Sequence, residues 1–282
     1  MSIAVTGASG QLGRLVAVGL LDAVDPSEVV LLTRSPDALA DLAERGATVR
    51  HADFDDPDGL VDAFAGVERM LLISTDMVGS RLDGHRAAIA AAAKAGVTHV
   101  AYTSISRPDP ANPAGVVPDH AATEEALRDS GVAWTMLRNN LYADMQPQTI
   151  GQAAESGSFV TNTGDGATAY VTRADCAAAA VAVLTGSGHE NKAYEISGPE
   201  ALTATDVAAL ASEIAGRPVE VVLVDDEAYI QGMVDSGLPR PIAGLLASFG
   251  TATREGWTGE VSDTVETLTG RAPTPLRDVV LG

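Results

Sequence analysis

Three glycines near the start of the chain, Gly7, Gly10 and Gly13, repeat at G-x-x-G-x-x-G spacing within Thr6-Gly7-Ala8-Ser9-Gly10-Gln11-Leu12-Gly13. Glycine lets backbone come close to a pyrophosphate. A helix that starts there turns free N–H groups, and the positive end of its dipole, toward the anion. The spacing alone recurs in many turns. Here the apolar Ala4-Val5 precedes it and an amphipathic helical pattern, Arg14 to Leu21, follows at once. That order is the strand, turn and helix start of a dinucleotide site.

The end of the second strand bears on which dinucleotide is held. NAD sites usually place an acid about 20 residues beyond the glycines, on the ribose 2′-hydroxyl. The run Val29-Val30-Leu31-Leu32-Thr33-Arg34-Ser35 contains none, and Arg34 stands where the strand ends. A guanidinium is a rigid fork of donors suited to a phosphate dianion. Arg34, with Thr33 and Ser35 beside it, is therefore the candidate partner of a 2′-phosphate, and NADPH is favoured over NADH. The alternative is an ordinary solvated arginine.

One catalytic arrangement is excluded. Only two lysines occur, Lys94 and Lys192, and the residues four before them are Ala90 and Gly188. The Tyr-x-x-x-Lys pair, in which lysine lowers a tyrosine pKa for proton transfer, is absent. His51, His85, His99, His120 and His189 show neither i,i+4 pairing nor H-E-x-x-H, so no metal site is expected. His120 differs from the other histidines. It opens a helix, in Asp119-His120-Ala121-Ala122-Thr123-Glu124, after a loop placed to overhang the fifth strand. It is a candidate catalytic residue. Cys176 is the single cysteine, which excludes an intrachain disulfide, and its alanine-rich setting reads as a buried apolar position.

These residues need a frame, and the chain supplies alternating strand and helix signals with short connections, the pattern of a doubly wound parallel sheet. After the first two strands come Thr48–Phe54, Arg69–Thr75, Val100–Ser104 and Ala133–Arg138, with helices expected near 81–95 and 121–130. The stretch 151–168 is polar and glycine-rich. Thr172-x-x-Asp175 and Thr203-x-x-Asp206 read as capping boxes for helices to about 184 and 215. Strands near 193–197 and 219–224 follow those helices, and 225–282 is helical with proline breaks. The expected architecture is an α/β Rossmann sheet, residues 1–150 with 169–198, and a smaller C-terminal α/β lobe on the substrate side, residues 151–168 with 199–282.

Composition narrows the partners. With 282 residues, 46% of them hydrophobic, the chain has ample material for a core. The net charge of −20 and the lack of a basic run argue against nucleic acid and against an anionic membrane surface. No basic patch followed by an apolar stretch marks a secretion signal, and no apolar run is long enough to span a bilayer. A cytoplasmic protein, monomer or homodimer, acting on a small molecule is expected.

The accumulated motifs resemble the NmrA-like branch of the atypical short-chain dehydrogenases: Thr6–Gly13, then Arg34, then Leu71-Leu72-Ile73-Ser74. Ala101-Tyr102-Thr103-Ser104, Asp119-His120-x-x-Thr123-Glu124, Leu137-Arg138-Asn139-x-x-Tyr142 and Thr172-Arg173-Ala174-Asp175 are similar to the type 2 NAD(P)H:quinone oxidoreductases. Triphenylmethane reductases are near relatives of these. The resemblance covers essentially the whole chain. It implies a flavin-free reductase that passes hydride from NADPH to a quinone-like or other conjugated small-molecule acceptor. It implies cofactor contacts at Gly7, Ala8, Ser9, Gly10, Gln11, Leu12, Arg34, Asp53, Ser74, Thr75, Arg138 and Asn139. Asn139, Asn140 and Tyr142 would donate hydrogen bonds to the oxyanion of the reduced acceptor, with His120 as a relay or pocket wall. The family commonly has glycine where Asn140 stands. Two other readings share the same cofactor residues: an NADP(H)-binding redox sensor without turnover, and a reductase of imines, ketones or dyes.

Overall fold

A computed structural model describes residues 1–282, in which strand and helix alternate as the sequence pattern requires. The order is β1 (Ile3–Val5), α1 (Gln11–Ala23), β2 (Val29–Thr33), α2 (Ala40–Glu44), β3 (Thr48–His51), α3 (Pro57–Ala63) and β4 (Arg69–Leu72). Then come α4 (Leu82–Ala95), β5 (His99–Ile105), α5 (Val117–Asp129) and β6 (Ala133–Asn139). The second half opens with α6 (Gln146–Ser156), β7 (Ser158–Thr161), β8 (Ala167–Thr168), α7 (Arg173–Thr185) and β9 (Lys192–Ile196). It closes with β10 (Leu202–Thr203), α8 (Ala204–Ala215), β11 (Glu220–Leu223), α9 (Asp226–Asp235), α10 (Arg240–Arg254), α11 (Thr264–Thr269) and α12 (Leu276–Leu281).

Seven parallel strands form the central sheet in the order β3-β2-β1-β4-β5-β6-β9. Its direction of winding reverses between β1 and β4, and in such sheets ligands lie in the crevice beyond the strand ends at that point. β2 is buried along its whole length, as a strand covered on both faces must be. One face packs on α1 and α7 through Val16, Leu20, Ala177 and Val183; the other packs on α3, α4 and α5 through Leu60, Ile89 and Leu127. A separate core joins α6, α8 and α12 around Ile150, Val207 and Leu276. There β7 pairs with β11 in parallel and β8 pairs with β10 antiparallel. Val265 of α11 returns to the core of the main sheet. No helix is long and apolar enough to cross a membrane.

Several boundaries differ from the sequence pattern, each for a local reason. β4 stops at Leu72 because Ser74 N–H donates to Thr103 Oγ1 (2.9 Å) and Thr75 N–H to His85 Nε2 (3.2 Å), so both residues turn away from the ladder. The third strand stops at His51, and the Asp53 carboxylate beyond it accepts the Asp55 N–H. The helix expected from 121 begins at Val117, with Pro118 in its first turn, where a missing N–H costs nothing.

The capping box at Thr203 and Asp206 is complete, but the one at Thr172 is half formed. Thr172 caps Asp175 N–H, while the fully buried Asp175 carboxylate accepts from Thr172 Oγ1 (2.7 Å) and Thr274 N–H (2.8 Å) and lies 2.9 Å from Arg271 Nη1. It anchors the C-terminal segment to the start of α7. Asp175→Ala strips two buried donors of their acceptor and should lower the unfolding free energy by about 2–3 kcal/mol. Urea denaturation measures this; a loss below about 0.5 kcal/mol, the scale of an ordinary surface change, would show that the anchor carries no weight.

Candidate active site

The first half of the site is a cradle built by the glycines. Gly7 adopts a left-handed φ of +58° and reverses the chain after β1. A Cβ on Gly13 would lie 2.8 Å from the Gly7 carbonyl carbon and 2.9 Å from Ala8 Cα, so only glycine lets α1 sit against the turn. Gly10 is the N-cap; it brings no capping side chain, and the first turn has no acid. The N–H groups of Gln11 and Leu12 therefore have no acceptor within the helix and face the crevice as an anion site. Ser9 Oγ lies 2.8 Å from Thr33 Oγ1, tying the turn to the end of β2.

Arg34 follows directly and is exposed. Arg14 pairs with Asp41 and Arg45 with Asp22 nearby, whereas Arg34 has neither a hydrogen-bond nor an ion-pair partner. It is a free cation beside an empty row of donors. Asp53 lies beyond the next strand, half-buried. No His, Cys, Asp and Glu cluster is arranged to hold a metal ion.

The second half lies where β4, β5 and β6 end. Ser74, His120, Asn139 and Tyr142 line one end of a cavity of about 1060 Å³. Asn139 is buried; its Nδ2 donates to Tyr142 Oη (3.4 Å) and its Oδ1 has no partner. Burial pushes the Tyr142 phenol well up, so it keeps its proton, and the Arg173 guanidinium stacks 4.4 Å from the ring centroid.

His120 is buried with Nδ1 2.8 Å from Tyr102 Oη. The Tyr102 hydroxyl is wholly buried between His120 Nδ1 and the Thr123 hydroxyl; when it donates to Nδ1, the His120 proton stands on Nε2, and His120 lines the cavity. Burial first, then the charge of Arg81, pushes His120 well down, and the same two causes push His85 down to about 4. Both rings are neutral at physiological pH. His85 accepts the Thr75 N–H at Nε2 and so donates from Nδ1 to Thr123 Oγ1 (3.0 Å), positioning the turn that carries Ser74. The histidine pattern in the sequence carried no sign of this second role.

Two expected site residues are committed elsewhere. Arg138 was expected at the cofactor, but strand alternation turns it to the opposite face from Asn139. Its Nε and Nη2 grip both oxygens of Glu124 (2.9 and 2.8 Å), and Nη1 reaches Glu195 (3.1 Å). Burial alone would raise Glu124, yet Arg138 and the Ser104 hydroxyl outweigh it and hold the carboxyl below its usual range. Asn140 was expected to donate to an oxyanion. Instead its Nδ2 donates to Thr258 O and its Oδ1 accepts the Leu141 N–H, both at 2.8 Å. This amide ties the end of β6 to the C-terminal lobe.

That lobe forms the far wall. Asn162 Nδ2 donates to Asp226 Oδ1 (2.8 Å) and Ala247 O (2.9 Å), while Arg254 binds both oxygens of Asp226 at 3.0 Å. The Arg254 hydrogen bond is the main cause that holds Asp226 down to about 2. The latch fixes α9 and α10 over the cavity.

A family model described as NAD(P)H-binding matches residues 7–187. The chain is similar to quinone oxidoreductase 2 of Escherichia coli, 39% identical over 278 residues, covering 99% of this chain and 97% of that one. The solved structure of the Escherichia coli NADPH-dependent quinone oxidoreductase complexed with NADPH matches with a TM-score of 0.95 over 99% of this chain and 98% of its own. The Citrobacter sp. triphenylmethane reductase complexed with NADP(H) matches with a TM-score of 0.92 at 37% identity, over 100% and 99% of the two chains. An NmrA-like family domain-containing oxidoreductase of Aspergillus flavus is 29% identical over 293 residues, 99% of this chain and 94% of its own.

Two outcomes follow from the site's charges. Arg34→Ala should weaken NADPH binding by about 1.5–3 kcal/mol, the scale of a charged hydrogen bond, and leave NADH binding nearly unchanged. Calorimetric titration with both cofactors decides it, and equal losses would refute the assignment. For the histidines, the unfolded chain takes up protons near pH 6.5 that the folded chain resists down to about pH 4 at His85. Stability is therefore full above about pH 6.5 and falls as pH drops toward 4, by up to about 1.4 kcal/mol per unit for each such ring. Urea midpoints that stay flat through that window would contradict the neutral histidines.

Proposed function

The chain belongs to the NAD(P)H-binding, NmrA-like family, and from that membership we propose that it is an NADPH-dependent reductase of quinone-like, conjugated small molecules. Two unspent features beyond the ends of the same sheet carry the reading: an uncapped helix end beside a partnerless Arg34, and a cavity lined by Asn139, Tyr142 and His120. A redox sensor needs the first half but has no use for a cavity of about 1060 Å³, so turnover is favoured. Imines, ketones and dyes are further acceptors that the same arrangement would serve.

In this reading Gly7–Leu12 and the N-terminus of α1 hold the pyrophosphate, Arg34 the 2′-phosphate, and Asp53, Ser74 and Thr75 border the cofactor. The unpartnered Asn139 Oδ1 is the kind of buried acceptor that a carboxamide N–H satisfies. NADPH, when bound, supplies the hydride. Tyr142 O–H and His120 Nε2–H then donate to the acceptor oxygen as negative charge gathers on it. On accepting hydride a quinone yields a delocalised aromatic oxyanion that takes one proton from water to become the hydroquinone, so the missing Tyr-x-x-x-Lys pair is no handicap. Residues 1–150 with 169–198 hold the cofactor in this proposal, and 151–168 with 199–282 cover the acceptor. We place its action in the cytoplasm, as monomer or homodimer, where NADPH and a buried, unoxidised Cys176 are at home.

Oxidation of NADPH by a panel of quinones, imines and carbonyls tests the activity. Tyr142→Phe should lower quinone turnover by about 10²-fold while NADPH affinity stays near wild type. A wild-type protein that binds NADPH and oxidises it with no acceptor would leave the sensor reading standing.

A further inference from the structure

The lining of the cavity selects among conjugated acceptors. Arg81 aside, its polar groups are uncharged amides, hydroxyls, phenols and an imidazole, among them Asn139, Tyr142 and His120 at the strand ends, while Met233, Leu238, Leu246 and Phe249 of the α9–α10 unit add an apolar wall. Among all the lining residues only Arg81 carries a full charge. That charge is already spent: the side chain is 4% exposed and donates to Asp119 (3.1 Å), Thr75 O (2.8 Å) and Val116 O (3.4 Å). No lysine, aspartate or glutamate faces the cavity, in a chain whose net charge is −20. The volume of about 1060 Å³ stands at the top of the range for small-molecule sites, roughly 300–1,000 Å³, so a bare ring leaves most of it unfilled. Met145, Val160 and Leu246 are large apolar side chains exposed on this same lining.

Resting on the reductase reading above, we propose that the acceptor is an uncharged quinone bearing an apolar side chain, its ring at Asn139, Tyr142 and His120 and its chain along Met233, Leu238, Leu246 and Phe249. The chain covers apolar wall that otherwise stays wet. A sulfonate or phosphate on the same position loses its water and finds no free cation in exchange.

The test uses one naphthoquinone nucleus in three forms: unsubstituted, with a short isoprenoid chain, and with a sulfonate at the same carbon. Rates of NADPH oxidation are measured in salt high enough to screen the protein's overall charge. The isoprenoid form should exceed the bare nucleus in kcat/KM by about tenfold or more, and the sulfonate should fall below it by a similar factor. Leu246→Lys, at a partly exposed position, should shift preference toward the sulfonate by about tenfold, with unchanged NADPH affinity reporting an intact fold. Equal kcat/KM across the three forms would overturn the acceptor class and leave the reductase standing. No turnover of any form by protein that binds NADPH would overturn the reductase reading and this inference with it.

Discussion

The contact between α1 and the turn that follows β1 is the constraint on which the rest of the site depends. Gly13 lies so close to the Gly7 carbonyl that no side chain fits between them, and this brings the start of the helix onto the end of the sheet. The same closeness continues along α1, where a Cβ on Gly19 would stand 3.0 Å from Val181 Cγ2 of α7. Gly19 and Val181 lie equally far from Gly10 and Thr172, so the two helices, both running back from the strand ends, begin level with one another. Arg173 and the Tyr142–Val171 bridge are thereby held beside the cradle. A single added methyl group at Gly13 displaces the helix end proposed to hold phosphate.

Polar tethers carry that placement from the sheet to the C-terminal lobe. Asn140 binds Thr258 O and Asp175 binds Thr274 N–H, while within the lobe Asn162 binds Asp226 and Ala247. Each is buried or half-buried and spans a large separation along the chain, so the lobe is fixed against the ends of the sheet. Beneath it Arg138 joins Glu124 on α5 to Glu195 on β9 and closes the underside of the β6 end. The residues left unspent after these bonds are the ones with chemistry available: Arg34, Asn139 Oδ1, the Tyr142 hydroxyl and His120 Nε2.

Much of this was legible in the sequence because its causes are local. The glycine spacing, the apolar strands and the arginine after β2 each announce themselves within a few residues, and β1, β2 and β4 follow from apolar runs alone. Arg138 misled because adjacent polar residues at a strand end point to opposite faces, and Asn140 because it lines the cavity while its amide is bonded to Thr258 O and Leu141 N–H. Glu195 and Thr258, which claim them, lie far along the chain. The Tyr102–His120 pair depends on two elements packing together: the helix start singles out His120, but nothing in the sequence marks Tyr102 as its partner. The cavity wall was least visible: Met233, Leu246 and Phe249 read as the apolar stripe of a helix, and only the Asn162–Asp226–Arg254 latch sets them over the site.

The central claim is that cradle and cavity form one chamber in which hydride passes directly from cofactor to acceptor. An anaerobic single-turnover experiment tests it most directly, mixing the one-to-one NADPH complex of the wild-type protein with a lesser amount of naphthoquinone. The account predicts loss of one NADPH for each quinone, appearance of the hydroquinone, and no flavin absorbance at any stage. Quinone and NADPH that persist unchanged, with the cofactor still bound, would contradict it.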